Sequence, residues 1–232
     1  MSRKRTRSSA ATAVSDDYAV IGILIANGIT LAVALAQGWT SLQLMWPFWI
    51  QSMIIGWFAR ERILKLSQFC TEGYRVNGRT VEPNAEAQRK AADSFLLQFG
   101  FMHALYFGFL LLITVLADAQ GFLELTRGIE KRQVYVGLVT SADVLIYLGL
   151  GMSFWISHWL SHREHVEKDL SGKPNIGTLT LMPYARILPM HLCLIVGLPL
   201  GGAAVWLFVL LKTVADVIMH SVEHRVLQHT KV

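Results

Sequence analysis

The sequence is short of charge. Asp, Glu, Lys and Arg make up only 16% of its 232 residues, whereas 53% are apolar, and the mean hydropathy is +0.42. This combination lies outside the usual range of soluble globular domains. The net charge of +5 does not indicate a nucleic-acid partner, because the basic residues flank long apolar runs instead of forming one solvated face. The composition therefore predicts a protein whose partners are membrane lipids, with no nucleic acid.

Cysteine is scarce as well, since the chain has only two. Cys70 lies in a polar loop and Cys193 in an apolar helix, a pairing that supports neither a disulfide framework nor a thiolate metal site. The sequence also shows no repeat of fixed period and no glycine motif of the kind that cradles phosphate. Any metal ion would therefore need histidine and carboxylate ligands.

The sequence contains several long apolar runs. Crossing ~30 Å of hydrocarbon takes roughly 20 residues in a helix, and six runs approach or exceed that length. Leu198-Pro199-Leu200-Gly201-Gly202 divides the last apolar region, so the final two helices should form a tight hairpin. We predict an all-α, polytopic bundle with six transmembrane helices, at about 18–37, 41–58, 94–117, 134–159, 182–198 and 201–219.

The basic residues are distributed unevenly between the two ends of these spans. Of the 21 Lys and Arg residues, 16 flank one side and 3 lie in the 118–133 connection on the other. The positive-inside rule then places both termini in the cytoplasm, with tails at 1–17 and 225–232 around a membrane domain at 18–224. Ser15-Asp16-Asp17 follows the basic start, and no clear cleavage site follows the first span, which is therefore expected to remain as an anchor.

The eight histidines all fall on the cytoplasmic side or in the inner half of the predicted bundle. Residues three or four apart share one helix face, so spans four and six each carry a polar stripe. The stripe of span four contains His158, His162 and His165; that of span six contains Lys212, Asp216, His220 and Glu223, with His224 four residues after His220.

Imidazole suits zinc, iron or copper, and carboxylates can complete the ligand shell. We therefore predict a transition-metal site, with zinc or iron, at the cytoplasmic side. The predicted metal ligands are His158, His162, His220 and His224, the predicted catalytic groups are Asp216 and Glu223, and the predicted cofactor-binding residues are His103 and His191. Such a metalloenzyme would hydrolyse or oxidise a lipid or another apolar substrate.

Two alternatives fit the same residues. His103 and His191 lie at matched depth, roughly 14 Å inside by helical rise, as the two axial ligands of a haem-b electron carrier must. A transporter of protons or metal ions, or a membrane assembly protein, would instead use Lys212, Asp216 and the histidines as carriers. Asp143, in the outer half of span four, could pair with a loop cation. The sequence is compatible with a homo-oligomer.

Several short motifs in the chain carry a family resemblance: Gly38-Trp39, Ile54-Ile55-Gly56, Phe99-Gly100 before His103, Arg186 before His191, and Leu211-Lys212-Thr213 with Asp216 and His220. The pattern resembles an uncharacterised family of bacterial and archaeal multi-pass membrane proteins, catalogued as a domain of unknown function (6498). The resemblance implies a location in the inner (cell) membrane and no particular reaction. It also implies an acidic residue at Gln51 and a histidine at Gln98, two groups that this chain would have lost.

Overall fold

Helices make up most of the structure, a computed structural model that describes residues 21–22, 24–126, 139–185, 187, 209–214 and 217–218. They are α1 (Leu24–Ala36), α2 (Ser41–Leu64), α3 (Ala85–Thr126), α4 (Ser141–Leu170) and α5 (residues 176–185). A mostly helical structure is therefore confirmed for these residues. The hairpin at Pro199 lies outside the described residues, and the six-span arrangement stays a prediction.

Two threonines fix where α2 and α4 begin. The Thr40 side chain accepts a hydrogen bond from the Gln43 backbone, and the Gln43 side chain accepts one from the Thr40 N–H. Thr140 and Asp143 form the same reciprocal capping box at the start of α4, an arrangement that satisfies N–H groups without a partner inside the helix. Helix α4 thus begins at Ser141, later than the apolar run that starts at residue 134.

Within the part of the chain that the structure describes, two segments are long and apolar enough to cross a membrane, namely Ala85–Leu116 and Ser141–Glu167. The core helix of a soluble protein also passes a test of length and composition, but such a helix is mostly buried. Here only 28% and 17% of the most apolar stretch of each segment is buried. Large apolar side chains such as Leu97, Phe101 and Leu145 are exposed instead.

Helix α2 packs against both α3 and α4. Phe48, Phe99 and Phe154, one from each of these helices, have almost no exposed surface. Three tryptophans of α2 and of the turn before it also donate their indole N–H groups across helix boundaries. These bonds run from Trp39 to Asp143 Oδ1 at 2.8 Å, from Trp46 to Thr114 Oγ1 at 3.3 Å and from Trp49 to the His103 carbonyl at 3.1 Å.

The connection between α2 and α3 contains a short β-hairpin and is hydrogen-bonded to the start of α5. Strands β1 (Arg75–Val76) and β2 (Arg79–Thr80) pair in an antiparallel hairpin. The two residues between them, Asn77 and Gly78, have φ values of 52° and 78°, as a type I′ turn requires. The Cys70 N–H donates to the Pro174 carbonyl and the Ile176 N–H donates to the Cys70 carbonyl, each at 3.0 Å. These two bonds hold the connection against the start of α5.

Candidate functional site: a histidine cavity

The three histidines of the predicted α4 stripe come together at one cavity. His158, His162 and His165 line a space of about 70 Å³ between α2, α4 and α5, which is room for roughly two water molecules. His162 and His165 are both buried. We call this space the histidine cavity.

The rest of the wall of the histidine cavity is partly apolar and partly positive. Ile55, Phe58, Leu179 and Met182 supply apolar surface, while Arg62 and Ser161 add polar groups; Ala59 and Pro183 complete the lining. Among the described residues that line the cavity, none is a carboxylate. The lining therefore favours an anionic or neutral group over a bare cation.

His165 is oriented by its own helix. Its Nδ1 lies 2.7 Å from the Ser161 carbonyl oxygen and 3.1 Å from Ser161 Oγ. A carbonyl oxygen only accepts hydrogen bonds, so Nδ1 carries a hydrogen and donates it. In the neutral ring this leaves the lone pair on Nε2, the atom that can act as a base or ligate a metal.

His162 has a different environment, because its Nε2 lies 3.4 Å from Lys65 Nζ. An ammonium group only donates, so in this contact the imidazole accepts with Nε2 and is neutral. The ring also packs on Phe58, with centroids 5.1 Å apart. A metal ion bound at this nitrogen would have to displace Lys65. Because Lys65 follows the last residue of α2, the site extends beyond α4 to the C-terminal end of α2.

A buried ion pair between Arg62 and Asp169 lies at the same end of the helical bundle, where α2 and α4 end. Arg62 Nη2 donates to Asp169 Oδ1 at 3.0 Å, and Arg62 Nε donates to Asp169 Oδ2. The two side chains are only 11% and 4% exposed, respectively. Since both carboxylate oxygens are engaged by the guanidinium, Asp169 balances Arg62. Sequence spacing did not identify this pair, because it joins the ends of two different helices.

His103 lies on α3 and does not line the histidine cavity. Its Nδ1 donates to the Phe99 carbonyl at 2.8 Å, its Nε2 lies 2.8 Å from Ser52 Oγ, and its ring stacks on Phe99 at 4.2 Å between centroids. Both ring nitrogens thus have protein contacts. Coordination of a haem iron by Nε2 would require Ser52 to give up this contact.

The polar stripe predicted on span six is described only at Lys212. This residue is buried, and its Nζ lies 5.0 Å from the centre of the Phe48 ring, within cation–π range. The other predicted site residues, His191, Asp216, His220, Glu223 and His224, lie outside the described residues. Within the described ranges, no group of three or more His, Cys, Asp or Glu residues is placed to hold a metal ion.

The two glutamines singled out by the family resemblance lie in different environments. Gln51 on α2 is buried, and its Oε1 has no hydrogen-bond partner among the described residues. Gln98 on α3 is exposed and lines a separate groove beside the hairpin. The two side chains therefore do not belong to one site.

One family matches nearly the whole chain: the profile of the Family of unknown function (DUF6498) covers residues 9–231. No curated protein and no solved structure matches the chain significantly. The family description names no reaction, ligand or partner.

Proposed function

We propose that this chain, which belongs to the Family of unknown function (DUF6498), is a multi-pass membrane protein that binds a lipid-like molecule in the histidine cavity. The membrane part is supported by the exposed apolar surface of α3 and α4, which water would solvate poorly. It is also supported by the six apolar runs and by the uneven distribution of basic residues around them.

The headgroup of this lipid is an anion, such as a phosphate or a carboxylate. The observation that carries this proposal is the lining itself: it includes three histidines and Arg62, which Asp169 pairs from outside the lining, and none of the described lining residues is a carboxylate. Guanidinium N–H groups make strong, charge-assisted hydrogen bonds to such anions, and an imidazole does the same once it is protonated. The apolar wall of Phe58, Leu179 and Met182 would receive the chain next to the headgroup.

Hydrolysis of the bound lipid is the reaction that the described residues support best. A neutral imidazole whose Nδ1–H is fixed by a backbone carbonyl, as in His165, presents Nε2 as a general base. The substrate would be an ester or phosphoester. A water within hydrogen-bond reach of Nε2 would give its proton to that nitrogen, attack the carbonyl carbon or phosphorus, and release the alcohol as the leaving group.

A transition-metal site, with zinc or iron, is the second candidate. It is favoured by the hydrogen bond from His165 Nδ1 to Ser161, since metal-ligating histidines commonly donate their other ring N–H to a carbonyl. His158 would be a further ligand from α4, and the predicted partners His220 and His224 would complete the shell. This candidate requires His162 either to lose its contact with Lys65 or to take no part.

The two candidates are separated by measuring lipid and metal content on the same purified sample. The full chain is reconstituted in nanodiscs of phosphatidylcholine with or without phosphatidylglycerol, and bound lipid is counted by native mass spectrometry. We expect saturable binding of the anionic lipid that falls about tenfold or more when His158 and His165 are both replaced by Ala, since hydrogen bonds to charged groups are worth ~1.5–3 kcal/mol each.

The matched control is Ser153→Ala. Ser153 also lies on α4 and donates to a carbonyl of its own helix, but it does not line the cavity, so its loss should leave lipid binding unchanged. Equal binding of both lipids that the double variant does not alter would refute the anion site. Stoichiometric zinc or iron that disappears in the double variant would establish the metal candidate instead.

A further inference from the structure

A second and larger concave surface lies beside the hairpin. It has a volume of about 770 Å³ and is formed by residues 72–77, the first turns of α3 and the start of α5. Small-molecule sites commonly measure about 300 to 1,000 Å³. We call this surface the hairpin groove; it shares no lining residue with the histidine cavity.

Aromatic rings form the apolar part of the hairpin groove. Tyr74, Phe95 and Tyr184 contribute to its lining, and Phe95 meets Tyr184 edge-to-face with centroids 5.8 Å apart. Burial raises the pKa of the Tyr74 phenol, so its hydroxyl stays neutral at physiological pH. Phe95 itself is buried, so the partly exposed rings of Tyr74 and Tyr184 supply the apolar surface available to a ligand.

The polar part of the lining is uncharged overall. Ser94 and Gln98 of α3 supply a hydroxyl and an amide, and the two charged residues, Glu72 and Arg75, have opposite signs. Gln98 is exposed, so its amide is available to a ligand. A lining of amides, hydroxyls and balanced charges matches a ligand that carries many hydrogen-bonding groups but no net charge.

One residue that lines the groove has a hydroxyl without a hydrogen-bond partner among the described residues. Tyr184 Oη is buried and has no hydrogen bond among the described residues, although Tyr184 lines the groove. Buried hydroxyls nearly always have a partner, because an unmade hydrogen bond is unfavourable. A hydroxyl group of a bound ligand would supply that partner once a small rotation of the Tyr184 side chain brings Oη to the surface of the groove.

We infer that the hairpin groove binds a sugar ring. A sugar presents a weakly polar C–H face that fits against an aromatic ring, and a rim of hydroxyls that fits amide and hydroxyl side chains. Ser94 is also the first residue of the predicted span at 94–117, so the groove lies at the level of lipid headgroups if α3 crosses the bilayer. The sugar therefore comes either from a glycolipid headgroup or from a free saccharide.

The test uses the full chain in nanodiscs with four probes: glucosyl- and galactosyl-diacylglycerol, diacylglycerol without a sugar, and free glucose. Native mass spectrometry counts bound lipid, and saturation-transfer NMR detects free glucose. We expect saturable binding of at least one sugar probe, weakened about 2- to 10-fold by Tyr184→Phe, the loss of one hydrogen bond. Tyr147→Phe is the matched control, because that hydroxyl is also buried without a partner among the described residues but does not line the groove.

Each outcome decides the inference. Binding of a glycolipid alone identifies the membrane as the source of the sugar, whereas additional binding of glucose identifies a soluble saccharide. Equal binding of diacylglycerol, or binding of none of the three sugar probes, overturns the inference. If Tyr184→Phe does not fold, Gln98→Leu at an exposed position replaces it; unchanged affinity in the folded variant likewise refutes a sugar site in this groove.

Discussion

Removing one partner of the buried Arg62–Asp169 pair should destabilise the whole helical bundle. Arg62→Met keeps most of the apolar stem but leaves the Asp169 carboxylate, only 4% exposed, without its guanidinium. Breaking a buried ion pair from one side typically costs about 3–5 kcal/mol, because an uncompensated charge stays behind. We expect a loss of that size, since the pair joins the end of α2 to the end of α4.

Two further variants make this expectation specific. In Arg62→Met/Asp169→Leu both charges are gone, and replacing a buried pair by apolar residues is often close to neutral. The double variant should therefore recover most of the stability that the single variant loses. Arg60→Met is the more exposed control: Arg60 Nη2 lies 3.1 Å from Asp93, and the two side chains are 24% and 66% exposed. Pairs at the surface contribute about 1 kcal/mol or less.

The assay is equilibrium unfolding in mixed detergent micelles with increasing dodecyl sulfate, followed by circular dichroism. The free energy of unfolding is compared among wild type, Arg62→Met, the double variant and Arg60→Met. The reasoning is refuted if Arg62→Met loses no more than Arg60→Met does. It is also refuted if the double variant is as unstable as Arg62→Met, because the deficit would then not come from an orphaned charge.

Two other substitutions probe the helix contacts with the same unfolding assay. Gly56→Ala would place a Cβ inside the van der Waals surface of the Phe99 ring, whereas the Cβ of Gly149→Ala meets nothing within 4 Å. We expect the free energy of unfolding to fall by about 1–3 kcal/mol in the first variant and to stay unchanged in the second. Equal stabilities would show that α2 and α3 can separate freely. Asp143→Ala removes the acceptor of the Trp39 indole N–H and half of the capping box, so we expect a loss of about 1–3 kcal/mol; an unchanged free energy of unfolding would contradict this.

Helix starts were only partly predictable from the sequence. The pattern Thr-x-x-Gln at Thr40 coincides with the predicted beginning of span two at Ser41. In span four, continuous hydropathy from residue 134 obscured the equivalent signal at Thr140. Asp143 illustrates the consequence: sequence reasoning considered a loop cation as its partner, whereas the carboxylate accepts from Thr140 and from Trp39. A capping box depends on individual residues, and the average hydropathy of an apolar run does not detect them.

The side of the histidine cavity that α4 forms could be predicted from the sequence, whereas the side opposite it could not. Spacing along α4 was enough to place His158, His162 and His165 on one face. The groups opposite them were not predictable, because Lys65 lies 97 positions before His162 and Arg62 lies 107 positions before Asp169. Helical periodicity carries no information about contacts at such separations.

Even less of the hairpin groove could be predicted from the sequence. Backbone bonds hold Cys70, just before the groove-lining segment at 72–77, against Pro174 and Ile176, and every residue except proline has the same backbone donor and acceptor. Polar composition therefore indicated a solvated loop. The Asn77-Gly78 turn was predictable because its positive φ values favour these two residue types.

The indole bond from Trp39 to Asp143 also constrains the order in which the protein can be assembled during synthesis. Its donor and acceptor lie 104 positions apart, and a ribosome that adds roughly 5–20 residues per second needs about 5 to 20 seconds to make the intervening chain. Through that interval the Trp39 N–H must be satisfied by something other than its final acceptor. The N-terminal end of α2 can therefore reach its native packing only after α4 has left the ribosome, whereas the bonds of α2 to α3 can form earlier.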